Sequence, residues 1–137
     1  HLRDMISPVA KASVQPVVDA IAARDARGFL RAMGRIRDTH PQDSPMLVAT
    51  WVGNAAVRWL HAAALKGLHA SEEDLASVLG VHVFVYRKTI APVLTRWSAR
   101  DLKILLTRTA RVTRAVRQGS IDPWTQLEVQ YLRLLKA

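Results

Sequence analysis

Trp97-Ser98-Ala99-Arg100-Asp101-Leu102, the apolar-periodic run from there to Gly119, and the restart Asp122-Pro123-Trp124-Thr125-Gln126-Leu127-Glu128 decide the fold of this chain. Ser98 with Asp101 three residues on is a variant of the capping box, the serine oxygen accepting from an N–H that the first helical turn leaves unpaired. Gly119, just past the run, is a helix C-terminal signal. Asp122-Pro123 opens another helix, because proline lacks only an N–H that would be orphaned in a first turn anyway. Two helices therefore stand back to back across the break Ser120 to Asp122. Leu102, Leu105, Leu106, Val112 and Val116 form the buried stripe of the first, and Trp124, Leu127 and Tyr131 are core candidates of the second.

The rest of the chain reads at the same helical period. Ser13 is placed to cap a first helix over about Val14 to Arg24, and Asp25 a second over about Ala26 to Thr39. Pro41, Asp43 and Pro45 mark the loop that follows. Ser44-Pro45 opens a long central helix closed at Gly67. Its residues Leu47, Val48, Trp51, Val52, Ala55 and Trp59 share a face, while Val57, Leu60 and Ala64 lie opposite. A helix apolar on both sides is expected to be covered on both, and Trp51 and Trp59 are read as core, not as ligand platforms. Ser71 with Asp74 opens a short helix that stops at Gly80. A further helix over Phe84 to Arg96 is kinked or ended by Pro92, whose ring clashes with the preceding turn. Only Val81 to Tyr86 could be a strand, and a helix entry is equally consistent there. The expectation is an all-α bundle of six to seven helices.

The 137 residues suffice for one domain with a real core. The reading divides them into a linker or tag remnant, 1–12, and a helical domain, 13–137. From the start at His1 rather than Met, the expectation is a fragment or a chain carrying such a remnant. With no cysteine, thiolate catalysis, disulfides and cysteine-based zinc sites are excluded. The most apolar run, Met46 to Val57, is too short to span a bilayer, and no signal peptide is visible.

The motifs of chemistry are missing. The five histidines have no metal-ligand spacing, and no G-x-x-x-x-G-K or G-x-S-x-G occurs. Glu72-Glu73-Asp74 sits in a first helical turn, where carboxylates are favoured by the helix dipole. No catalytic residue, cofactor or metal is expected. Charge is the stronger signal: 20 basic residues against 11 acidic give +9, a balance that favours polyanionic neighbours. Between Arg87 and Arg117, Asp101 is the one acid among nine basic residues. Arg100, Lys103, Arg111 and Arg114 fall within about a quarter of the helix circumference, opposite the apolar stripe. Such a stripe suits phosphate or an acidic protein surface, although charge runs are usually solvated faces. Asp74 to Val81 and the helix after it also resemble the front half of a helix-turn-helix, but Thr89 and Pro92 spoil the back half.

Several segments in order resemble one family. Ser13-Val14, Val18-Asp19-Ala20-Ile21 and Asp25-Ala26 look like the pattern S-x-F-x-L-x-D-A-I…G-D-x-x-x-A, with Val in place of the aromatic. Leu75-Ala76…Leu79-Gly80-Val81 with Val85-Tyr86-Arg87-Lys88 follows L-A-x-x-L-G-x…V-x-K/R. Leu127-Glu128…Leu132-Arg133-Leu134-Leu135 follows L-E-x-x-x-L-x-L-L. Together with the long central helix they resemble the third domain of the delta subunit of the bacterial DNA polymerase III clamp loader. Ala23-Arg24 replaces the family's usual Glu-Gly, and Arg111-Val112-Thr113-Arg114 stands where an acid is frequent. The resemblance implies a cytoplasmic, non-catalytic collar that assembles with gamma/tau- and delta-prime-type subunits in DNA replication. It also implies that sliding clamp and primed DNA are met by a missing N-terminal part, and that the polymerase and ATPase activities reside in other subunits. The alternative reading is a helical DNA-binding domain using the basic face and the helix-turn-helix-like segment.

Overall fold

In the computed structural model, which describes residues 8–39, 44–119 and 122–136, the chain is helical almost throughout. The helices are α1 (Pro8–Ala22), α2 (Ala26–Thr39), α3 (Ser44–Gly67), α4 (Glu72–Leu79), α5 (Val83–Val85), α6 (Ala91–Arg96), α7 (Ala99–Arg117) and α8 (Pro123–Lys136). A π turn, Tyr86–Ile90, joins α5 to α6 without a break, so the three make one helical segment and the described residues form seven helices. There is no strand among the described residues; Val81 to Tyr86 is a turn and a helix entry. The first helix starts at Pro8, earlier than expected, which leaves Ser13 inside it. The loop assigned to Pro41 and Asp43 lies outside the described residues.

The predicted caps are present at four helix starts. Ser98 Oγ accepts from Asp101 N–H at 3.0 Å and Ser71 Oγ from Asp74 N–H at 3.1 Å. Asp25 Oδ1 accepts from Gly28 N–H at 3.0 Å, and Asp122 Oδ1 from Trp124 N–H at 3.2 Å. His82 supplies another that the sequence reading missed, its Nδ1 accepting from Phe84 N–H at 3.1 Å.

The helix ends are less predictable. After α4 the N–H of Val81 reaches Ala76 O and that of Gly80 reaches Ser77 O, with Gly80 at φ 72, the left-handed closure named for Schellman. The same pair of bonds closes α1 around Arg24, at φ 54, and α3 around His69, at φ 63. Gly67, expected to stop α3, is its last helical residue, and His69 makes the turn.

Pro92 does not end its helix, which runs on to Arg96. The turn before it widens, so that Ala91 N–H bonds Tyr86 O, five residues back. Such a bulge moves the carbonyls away from a ring that would clash with a regular turn.

α3 and α7 pack over the largest stretch, α1 pairs with α2, and α8 closes on α2, α3 and α7. Gly53 permits the α3–α7 approach, since a Cβ there would lie 3.3 Å from Thr109 Cγ2. The core is continuous through all of these: Val17, Ile21, Phe29, Met33, Val48, Ala56, Leu102, Leu105, Leu127 and Tyr131 are at most 1% exposed. Phe29 and Tyr131 meet edge to face at 6.0 Å.

Among the proposed core residues, Trp59, Leu102, Leu105, Trp124, Leu127 and Tyr131 are buried, whereas Trp51 and Leu106 are only half-buried. Trp51 faces the side of α1 that carries Gln15 and Asp19, because Val14, Val17 and Ile21 of α1 are spent inside the core. Leu106 lies at the rim where α7 leaves α3. The second apolar side of α3 is a larger departure. Val57 and Ala64 are exposed and Leu60 is half-buried; α7 packs alongside at Gly53 and leaves this side uncovered.

Candidate functional site

Arg100, Lys103, Arg111 and Arg114 are all exposed on the outer side of α7. The helix that carries them is fixed from behind, where Leu102, Leu105, Thr109 and Val112 are buried. Arg117, one turn beyond Arg114, is exposed as well.

Whether such a stripe is neutralised internally depends on where the acids go. Asp101 pairs with Arg24 at 3.1 Å, Glu128 pairs with Arg37, and Glu72 and Glu73 pair with Arg87 at 2.8 and 4.0 Å. Asp19 accepts from Gln15 at 2.9 Å, while Asp25 and Asp122 serve as caps. Among the described residues no acid pairs with the α7 stripe. These five cations form a one-signed surface open to a polyanion or an acidic protein. Two other basic residues of the same region are occupied: Arg108 donates to Gln130 O at 3.1 Å, tying α7 to α8, and Arg87 is held by α4. The Glu72 carboxylate raises the Arg87 pKa further, chiefly by hydrogen bonding.

The helix-turn-helix-like segment loses by this arrangement. Its second helix contains the π turn, and Arg87 is engaged by Glu72 and Glu73 instead of projecting alone.

The sequence reading missed a dense polar cluster around Arg24. Arg24 donates through Nη1 to Arg96 O at 3.0 Å and to Asp101 Oδ2, and through Nη2 to Leu134 O at 3.1 Å. Its guanidinium lies 4.2 Å from the centre of the Trp97 ring. Trp97 Nε1 donates in turn to Ile21 O at 3.1 Å. One side chain thus fastens the α1–α2 turn to the α6–α7 junction and the end of α8. Asp101 does not reach back to its own cap as a full capping box would; it turns to Arg24. Trp97 just before the cap Ser98 and Leu102 four residues after it form the sequence pattern of a hydrophobic staple, and that pattern could have flagged Trp97. Nothing local marks Arg24.

Two grooves open on the surface. One, of about 520 Å³, lies between α1, α3 and the π turn and is lined by Asp19, Trp51, Asn54, Arg58, Trp59 and Thr89, among others. The second, of about 650 Å³, runs between α3 and α7, from Gly53 and Leu106 to Arg114 and Arg117. Among the described residues no group of three or more histidines and carboxylates could hold a metal, and no helix is long and apolar enough to cross a membrane.

No family model matches the sequence and no curated protein matches it significantly. Among solved structures, the DNA clamp loader delta protein of Bacillus subtilis superposes with a TM-score of 0.76 at 18% identity. The match covers 99% of this chain and 39% of that one, so the chain spans well under half of that protein's length. The two share a fold.

Proposed function

We propose that this chain is the collar of a clamp-loader delta subunit, a non-catalytic domain that joins gamma/tau- and delta-prime-type subunits in the ring that loads a sliding clamp for replication. The observation that carries the reading is the shared fold over 99% of the chain, reached from a sequence whose motifs resemble that family in order. The exposed stripe on α7 supplies a surface for assembly: Arg100, Lys103, Arg111 and Arg114 meet an acidic patch on a neighbouring subunit. Coassembly with the other loader subunits, followed by size-exclusion chromatography, tests the reading. R111E/R114E should weaken assembly a few-fold, roughly what rim charges contribute, and leave the melting temperature nearly unchanged. Failure of the wild-type chain to join any loader subunit would refute it.

The stripe also supports a second reading, contact with duplex DNA. In that case R111E/R114E abolishes a duplex affinity that falls steeply with salt as phosphate contacts release counterions, and assembly stays intact.

A further inference from the structure

The side of α3 that the bundle leaves open has the pattern of a helix-packing face. Val57, Leu60 and Ala64 follow one another at three and four residues, the spacing that aligns side chains on one side of a helix. Leu68 continues the series just past the helix end. Val57 is 56% exposed and Leu68, beyond the helix end, 78%. The groove of about 650 Å³ meets this face at Val57 on the α7 side, with Leu106 on its other wall and Arg114, Arg117 and Gln118 at its far end. An apolar strip with cations beyond one of its ends selects both the shape and the charge of what covers it.

We infer that this α3–α7 face seats an amphipathic helix of a partner protein, whose apolar side packs on Val57, Leu60 and Ala64 and whose acidic end, beyond Val57, lies against Arg114 and Arg117. A second copy of this chain is a poor occupant. A two-fold contact would use the same patch on both copies and would bring four uncompensated arginines together. An acidic end instead neutralises them next to an apolar contact that excludes water and strengthens the attraction. The inference rests on the assembly reading above and names the surface and the partner chemistry that it uses.

The test uses two fluorescein-labelled synthetic helices with the same leucine and alanine face, one flanked by glutamates and one by lysines, titrated with this chain and followed by anisotropy. The glutamate-flanked helix should bind at least about tenfold more tightly than the lysine-flanked one. Val57→Glu should weaken it by about tenfold or more, since a charge would be buried against an apolar partner. Ala64→Glu, at an exposed helical position that tolerates glutamate, is a second variant that keeps the fold. R114E/R117E should reverse the preference between the helices. Equal binding of both helices, no binding of either, or binding unaffected by V57E and A64E overturns the inference. So does a concentration-dependent dimer that V57E abolishes. If the chain discriminates the helices but does not join loader subunits, this face stands and the collar reading falls. If it joins them and V57E and A64E change neither assembly nor helix binding, the collar reading stands and this face falls.

Discussion

Removing the Arg24 side chain tests whether the α1–α2 turn is held by its own backbone or by one guanidinium. Arg24 sits at φ 54, where a non-glycine residue carries about 1–2 kcal/mol of steric cost. Its side chain offsets this through two carbonyl bonds, the Asp101 pair and the Trp97 face. The pair is partly screened, with 19% and 34% of the two side chains exposed, so we assign it at most about 1 kcal/mol. Each charged hydrogen bond to Arg96 O and Leu134 O adds about 1 kcal/mol at this exposure, and the stacking on Trp97 about 0.5. Arg24→Ala should therefore cost about 3 kcal/mol, because alanine keeps the backbone cost and loses the contacts. Arg24→Gly should cost about 0.5–1 kcal/mol less, since glycine relieves the strain but gains freedom in the unfolded chain. Urea denaturation followed by circular dichroism gives both numbers. A loss under about 1 kcal/mol for R24A would show that the cluster is solvated and contributes little. R24G falling below R24A in stability would refute the strain argument.

Trp59→Ala should cost about 3–5 kcal/mol through lost burial and a cavity, and Trp51→Ala clearly less, as its half-exposed ring leaves no sealed void; denaturant melts of the two variants decide this. His69→Gly should stabilise the chain by about 0.5–1 kcal/mol by relieving the left-handed turn after α3, whereas Gly80→Ala should destabilise by a similar amount; equal melting temperatures for all three proteins would be the contrary result. Burial pushes the Tyr131 hydroxyl pKa well above its ordinary value, only partly countered by the Thr109 bond. The unfolded chain then ionises first, so this contribution is fully present below about pH 10 and is lost as pH rises beyond that. The urea midpoint should fall between pH 9 and pH 11, and by less in Tyr131→Phe.

Most helix starts were legible because they are written in side chains, the exception being α1, which begins at Pro8 ahead of the expected cap Ser13. Ser71, Ser98, Asp25 and Asp122 each hold the cap their position foretells. Helix ends were half legible, for a related reason. The left-handed turn is a backbone state that glycine marks openly at Gly80 and Gly119, but at Arg24 and His69 tertiary contacts or local bonding carry it on a residue without that mark. Apolar periodicity located both sides of α3 but not which would be covered, since coverage depends on where other helices arrive. The basic stripe was readable from spacing along α7 alone. Its lack of acidic partners was not, because Asp101, Glu72 and Glu128 are drawn away by Arg24, Arg87 and Arg37, at sequence separations that no local pattern reports.

The π turn before Pro92 makes two oddities of this sequence mutually dependent. A turn that bonds five residues back takes up one residue more than a regular turn does, while both flanks keep their buried sides, Tyr86 on one and Val93 on the other. The segment thus has one residue of slack in its length. Deleting the exposed Thr89 alone would shorten it to regular geometry and drive the proline ring into the carbonyl four residues before it. Replacing Pro92 with alanine alone would remove the reason for the wider turn while leaving its extra residue to be housed. The two changes together keep both faces in register, so the double variant should be more stable than the deletion by itself. Here length and composition are a single specification, and neither can drift without the other.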